Sequence, residues 1–460
     1  MDLGGIPMRK FIQGMFIFCL LTIYNDARAD SDSDGEIEQL RAELKLLRDS
    51  YDQRIASLEL RLQAAENKTI GSADETPGQQ DAELRALSAI SKSSNNAFNP
   101  AIGIIFQGQA WSYQNDAESY SIPGFPLGGE AGPVAEGLSL GETEIDISAN
   151  VDDLFTAWLT VPIVIEDGET VVEVEEAWIE TLALPAGLSL RMGRFFSDIG
   201  YLNDKHSHSW DFVDQPLAYQ AFLGNQYIDD GAQLRWIAPT DLYFELGAEV
   251  LRGDRYPSSG ADSSGFGAWS MHARVGGDAG FSSSWLAGLS YLSTESIDRQ
   301  SGDESEPLLF NGDADVLLAE FVWKWSPNGN WKQRNFKFQA EYLWRDEQGF
   351  YSIPHVDTLA WDIDQEGWYM QAIYQAKPGW RFGARYDALS SDNPGVGFAN
   401  TALALSPGDP MRYSLMADWS HSEFSRLRLQ YTHDQAGLQN DEQWGLQYIY
   451  SIGAHGAHSF

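Results

Sequence analysis

From Asn99 onward apolar and polar side chains alternate with a period of two, and the alternation continues to the end of the chain. Between Asn335 and Arg345, Phe336, Phe338, Ala340, Tyr342 and Trp344 alternate with Lys337, Gln339, Glu341 and Arg345. Trp368, Met370, Ala372 and Tyr374 alternate with Gln371 and Gln375, and Trp380, Phe382, Ala384 and Tyr386 with Arg381, Arg385 and Asp387. The closing run turns Trp444, Leu446, Tyr448 and Tyr450 to one side. Successive side chains of a strand point to opposite faces, so each run predicts a strand with one apolar and one wet face. A soluble sandwich would alternate as well, but its apolar rows would be mostly aliphatic. Here Trp and Tyr recur at the row ends, where a transmembrane barrel carries its aromatic girdles.

The connections alternate too. Val151-Asp152-Asp153, Leu184-Pro185-Ala186-Gly187, Ala238-Pro239-Thr240-Asp241 and Ala376-Lys377-Pro378-Gly379 are tight, and long polar stretches lie between them. Short periplasmic turns and long outer loops have that asymmetry. Strands are expected to start near residues 101, 140, 155, 170, 189, 232, 242, 267, 284, 315, 335, 367, 380, 412, 426 and 443. The fold class is therefore all-β, an antiparallel transmembrane β-barrel of about 16 strands over residues 99–460, and a barrel of that size leaves an aqueous lumen.

The first 98 residues have a different texture. Met8, Arg9 and Lys10 form a basic start, Phe11 to Ile23 an apolar run, and Ala27-Arg28-Ala29 a cleavage site, so residues 1–29 are expected to be a signal peptide. In residues 30–67, Ile37, Leu40, Leu44, Leu47, Tyr51, Ile55, Leu58, Leu62 and Ala65 follow one another at steps of three and four. The other faces are almost wholly charged, which predicts a periplasmic coiled coil with one stutter rather than a core helix. Residues 68–98, rich in Ser, Asn, Asp, Gln and Ala, read as a linker.

Composition adds exclusions. With 67 acidic against 30 basic side chains the net charge is -37, so a nucleic-acid partner, which needs a clustered basic footprint, is not expected. The only cysteine, Cys19, falls within the signal peptide. Asp30 to Gly35 resembles the start of a calcium loop, but Arg41 stands where a bidentate Glu is needed. No nucleophile elbow, phosphate loop or zinc-protease helix appears, so no catalytic residue is assigned.

Residues 100–460 hold 51 acidic and 19 basic side chains, an environment that attracts cations. Many of these carboxylates are expected in outer loops, solvated or holding divalent ions against lipopolysaccharide. On the polar phase of the early strands stand Glu142, Glu144, Asp146 and Glu173. Late strands place Lys337, Arg381, Arg385, Arg412, Arg426 and Arg428 on theirs, and the two groups are expected to face each other across the pore. Around Glu175 and Glu176 the phase is ambiguous, as a bulge would make it.

The third outer loop, about Ser197 to Asp230, is the expected constriction. In an extended backbone His206-Ser207-His208 puts both imidazoles on one side, and with Asp204, Asp211 and Asp214 nearby it suggests a zinc site. Loop histidines without Cys or a helical spacing are more commonly surface hydrogen-bonding groups. His455 and His458 form a second pair, expected at the periplasmic end.

The runs FNPAIGIIFQGQAWSY, IPGFPLGGEAG and GRFFSDIGYLNDKHSHSWDFVDQPLAYQAFLGNQYIDDGAQLRWIAPTDL resemble a family of proteobacterial outer-membrane proteins often labelled zinc-regulated, over residues 97–460. That family is similar in layout to the phosphate-selective porins. The resemblance implies a coiled coil ahead of a sixteen-stranded barrel, assembled as a homotrimer. The expected function is a porin-like channel of the bacterial outer membrane, set among lipid and lipopolysaccharide, that passes small hydrophilic solutes or ions with a cation or divalent-metal preference. No resident cofactor is expected apart from zinc at the histidine pair. The alternatives are a surface metal-binding receptor that does not conduct freely, an envelope tether anchored by the barrel, and an outer-membrane hydrolase with serines near His272 or His433.

Overall fold

The computed structural model describes residues 100–453, apart from 118–119, 129–130, 167–168, 260–264, 302–306, 355–357, 400 and 402. The expected signal peptide, coiled coil and linker, and the His455 and His458 pair, lie outside the described residues. The described chain forms β1 (Ala101–Ser112), β2 in two segments (Gly137–Leu140 and Thr143–Asn150), β3 (Phe155–Glu166), and β4 in two segments (Glu169–Val172 and Glu176–Thr181). There follow β5 (Leu188–Phe196), α1 (Leu217–Leu223), β6 (Ile228–Ile237), β7 (Tyr243–Leu251), β8 (Ala268–Asp278), β9 (Ser283–Ser301) and β10 (Leu308–Trp325). The last are β11 (Asn335–Ser352), β12 (Leu359–Lys377), β13 (Trp380–Ser391), β14 (Met411–Ser422), β15 (Ser425–Asp434) and β16 (Asp441–Gly453).

Each strand pairs antiparallel with the next, and β16 returns to β1, with Gly103 opposite Gly453 and Ser112 opposite Trp444. The sheet is thus a closed barrel of 16 strands. Closure leaves no free edge, so the backbone groups of every strand have partners within the wall. The expected starts agree best where a turn sets them and least at β10 and β12, which begin at Leu308 and Leu359 rather than near 315 and 367. The outer ends of those strands run past the apolar band, where no outward-facing hydrophobic row marks them.

The faces follow the alternation. On β11, Gln339, Glu341, Leu343, Arg345 and Glu347 are buried inward, while Phe338, Ala340, Tyr342 and Trp344 point out. Outward Leu289 and Leu415 are each 57% exposed, which suits a surface covered by lipid. Ring contacts Trp368–Tyr386, Tyr386–Tyr413 and Tyr431–Trp444 mark one girdle, and Trp236–Phe244, Trp323–Phe336 and Trp380–Trp419 the other.

The interior departs from the expected aqueous lumen. Ile122 and Phe125 of the first loop and Ile199, Leu202 and all seven residues of α1 in the third loop are buried within the barrel. They pack on inward-facing Leu292, Val316, Leu318, Leu343, Tyr369 and Leu389. Each Leu or Phe so buried contributes about 1.5–3 kcal/mol, enough to hold two loops inside. The signal is present in the sequence at Val316-Leu317-Leu318, where both phases are apolar, as in a strand covered on both faces.

Candidate functional site

The third loop leaves β5 and turns into the barrel at Gly200, whose φ of 69° is in the left-handed region. A Cβ there would lie 2.5 Å from Tyr219 Oη and 2.6 Å from Glu341 Oε2, so only glycine lets the loop pass. Asn203 clamps the two stems: its Nδ2 donates to the carbonyls of Ser197 and Tyr227 at 2.8 Å each, and its Oδ1 accepts from Tyr227 N at 2.8 Å. Tyr219 of α1 and Tyr369 of β12 both donate to Glu341, at 2.6 Å each. The loop is thereby fixed at the expected constriction.

One end of the loop meets an acidic patch. His206 precedes a 3-10 turn, Ser207–Ser209, not an extended segment, yet its ring centroid lies 5.6 Å from that of His208. His208 Nδ1 is 2.8 Å from Glu144 Oε1, and His206 Nδ1 is 3.2 Å from Glu144 Oε2. His206 Nδ1 is also 3.5 Å from Glu175 Oε2, while its Nε2 is 3.0 Å from Glu176 Oε2. Burial alone would lower the pKa of His206, but Glu144 and Glu176 hold it well above the ordinary value.

The carboxylates expected beside these histidines lie elsewhere. Asp204 pairs with Lys205 at 2.8 Å. Asp211 binds Lys337, and Arg381 at 2.9 Å; Asp214 binds Arg385 and Arg412, at 2.9 Å each. Beyond the 3-10 turn the chain crosses to the opposite wall, so these two aspartates answer the basic strands and not the imidazoles. Burial alone would raise their pKa values, but the cations hold both below the ordinary carboxylate range: Lys337 and Arg381 act on Asp211, Arg385 and Arg412 on Asp214.

The basic residues expected to line the pore do face inward, but they grip the loop. Arg381 also reaches Asp418 at 2.5 Å, Arg412 reaches Asp434 at 2.6 Å, and Arg385 reaches Asp387 at 3.0 Å. Arg428 donates to the carbonyl of Trp210 at 2.7 Å, and Arg426 to that of His208 at 3.3 Å.

On the acidic side Glu144 and Asp146 are buried inward, with Thr160 donating to Asp146 at 2.8 Å, and Glu142 is half-buried between the segments of β2. Glu173 is exposed and makes no part of this patch. Ile163 pairs with Val172 and Thr160 with Glu176, three steps on β3 against four on β4. The extra residue is a bulge that changes the phase, and Glu175 and Glu176 reach the third loop instead. The crowding of carboxylates in VVEVEEAWIE was the available sign.

A second cluster was not foreseen. His272 lies 3.3 Å from Glu245 and 3.7 Å from Asp198, but Arg274 is 2.5 Å from Asp198 and 2.7 Å from Glu320, so a cation is already in place. His433 lies 2.7 Å from Glu442. The histidines considered for a hydrolase thus have carboxylate partners, and no hydrogen bond among the described residues joins either to a serine.

No protein-family model matches the chain. Over 399 residues it is 31% identical to an uncharacterized protein of Aquifex aeolicus (strain VF5), a stretch that covers 81% of this chain and 82% of that one. It belongs to that protein's family. Among solved structures, it is similar to the outer membrane channel DcaP of Acinetobacter baumannii, with 13% identity, a TM-score of 0.49, and 77% of this chain and 97% of that chain covered. It is also similar to the outer membrane protein OmpT of Vibrio cholerae in its trimer form (10%, TM-score 0.48, 78% and 100%). A further similar structure is the anion-selective porin of Comamonas acidovorans (10%, TM-score 0.45, 77% and 99%).

Proposed function

We propose that the chain is a porin-like channel of the bacterial outer membrane through which small hydrophilic solutes or ions pass passively, cations ahead of anions. The observation that carries this reading is the third loop, folded into a closed barrel between an acidic patch (Glu144, Glu175, Glu176) and a basic one (Lys337, Arg381, Arg385, Arg412, Arg426, Arg428). Fixed charges of opposite sign on facing walls orient and select what passes between them. The resemblance to zinc-regulated outer-membrane proteins, similar in layout to the phosphate-selective porins, supports the channel architecture, and the cation preference rests on the acidic excess of residues 100–460. Insertion among lipid and lipopolysaccharide, export by residues 1–29 and homotrimer formation aided by residues 30–67 belong to it. The test is conductance across a planar bilayer, with reversal potentials in dilute potassium chloride gradients. Discrete steps with cation preference are expected, weakening as salt screens the charges; firm anion preference would overturn the selectivity. A solubilised particle with the mass of one chain would remove the trimer.

The packing of the first and third loops within the barrel favours a second reading, a surface receptor that holds its ligand without conducting freely. A reconstituted, folded barrel that gives no steps would select it.

A further inference from the structure

The acidic patch gathers buried ligand atoms of three side chains around one point. Glu144 Oε2, Glu175 Oε2 and His206 Nδ1 are buried and have no hydrogen-bond partner, although His206 Nδ1 lies 3.2 Å from the first oxygen and 3.5 Å from the second. His206 Nε2 lies 3.0 Å from Glu176, so a metal ion that displaces the Nδ1 proton would leave the remaining ring hydrogen on Nε2 and find a lone pair on Nδ1. In that form the lone pairs of two carboxylates and an imidazole converge on one buried place, which a metal ion can occupy in exchange for the proton. No Lys or Arg is paired with Glu144, Glu175 or Glu176 among the described residues, in contrast to the second cluster, where Arg274 supplies the positive charge.

From this geometry we infer that the patch binds a divalent transition-metal ion of the zinc type, held by His206 Nδ1, Glu144 and Glu175. Glu144, His206 and His208 each offer a ligand atom within 4.8 Å of the others, so His208 is placed to supply a fourth. One or two imidazole nitrogens with carboxylate oxygens is a donor set that zinc accepts, whereas calcium and magnesium take oxygen alone. Glu176 on Nε2 of His206 is the outer carboxylate that fixes the tautomer and orientation of a metal-bound histidine. The ion would join the third loop, through His206, to the strand wall at Glu144 and to the bulge at Glu175.

The test is calorimetry of the full chain, folded in detergent, titrated with zinc chloride, with cobalt(II) absorption as a spectroscopic check. One equivalent more should bind to the wild type than to H206N, and the visible cobalt band of the wild type should be lost in that variant. E176Q should weaken binding by ~10- to 100-fold, as removal of an outer carboxylate does. If E144Q fails to show the heat-dependent gel migration of a folded barrel, H206N and E175Q decide, since neither residue lies within a strand. Equal binding by wild type and H206N, or none by either, would overturn the site and leave a proton as the bridge. Binding is read without current, so its failure is distinct from failure of the channel reading.

Discussion

Asp214 of the third loop lies 2.9 Å from the guanidinium of Arg385 on β13, and this ion pair ties the loop to the wall opposite its histidines. Its second oxygen takes Arg412 at 2.9 Å, and Gln430 donates to the first at 2.7 Å. Arg385 keeps Asp387 and Arg412 keeps Asp434, so the arginines would not be stranded by loss of the aspartate. Replacing Asp214 by Ala should therefore cost about 3 kcal/mol, the low end for breaking a buried pair. The barrel should still form, and single-channel records should show larger, noisier steps. Unchanged records would mean that the loop is held by its apolar contacts alone.

The same pairs set a pH window. Asp211 and Asp214 are held below the ordinary carboxylate range, so their tethers act fully above the unfolded value of ~3.9 and are lost only as pH falls through the lowered one. Conductance attributable to loop release should be flat from about pH 5 to 8 and should rise only below about pH 4. A bilayer titration of the Asp214 to Ala variant, lacking one tether, should show the acid rise reduced. A midpoint near neutrality in the wild type would assign the release to other groups.

Gly200 gives an independent handle on the loop. A Cβ at φ 69° costs about 1–2 kcal/mol in the backbone, and here it would also strike Tyr219 and Glu341. G200A should displace α1 from Glu341 while leaving the wall intact. Protease digestion in detergent should then cut between residues 197 and 227 in the variant faster than in the wild type; equal rates would show that the loop passes without needing glycine.

The wall of the barrel was legible because its side chains report one variable, lipid or not, with a period of two. The outward rows at 336–344, 368–374, 380–386 and 444–450 were all placed correctly. The interior was legible only in part, because a polar side chain facing inward looks the same whether it meets water or a folded-in loop. Thus Arg381 and Arg385 were assigned to the right face, but their partners Asp211 and Asp214 were assigned to the histidines. Those partners are set by where a thirty-residue loop crosses the barrel, which no local period encodes. The bulge before Glu176 shifts phase by a single residue and had the same effect on Glu173.

The phase of the wall can be tested in the membrane. Leu415 points outward between Tyr413 and Trp419, and an Arg at such a lipid-facing place costs ~2–4 kcal/mol near the midplane. L415R should lower the urea midpoint for refolding into vesicles, whereas S414A, on the inward face, should not lower it comparably. The reverse order would invert the assigned phase of β14.

Selectivity should respond most cleanly to Arg426. Arg381, Arg385 and Arg412 each hold two carboxylates, so removing one disturbs the loop as well as the field. Arg426 makes a 3.3 Å bond to the carbonyl of His208, its Nε has no partner, and it stands beside Arg381 and Arg428. Its charge therefore acts on the permeating ion with little of the structure depending on it. At a distance of ~7 Å through water one unit charge is worth about 0.6 kcal/mol, close to RT, with opposite sign for cation and anion, so R426A should raise the cation-to-anion permeability ratio roughly sevenfold in dilute salt. In molar salt, with a screening length of ~3 Å, the difference should nearly vanish. Reversal potentials that do not move in dilute salt would place the conducting path away from Arg426 and from the basic wall altogether.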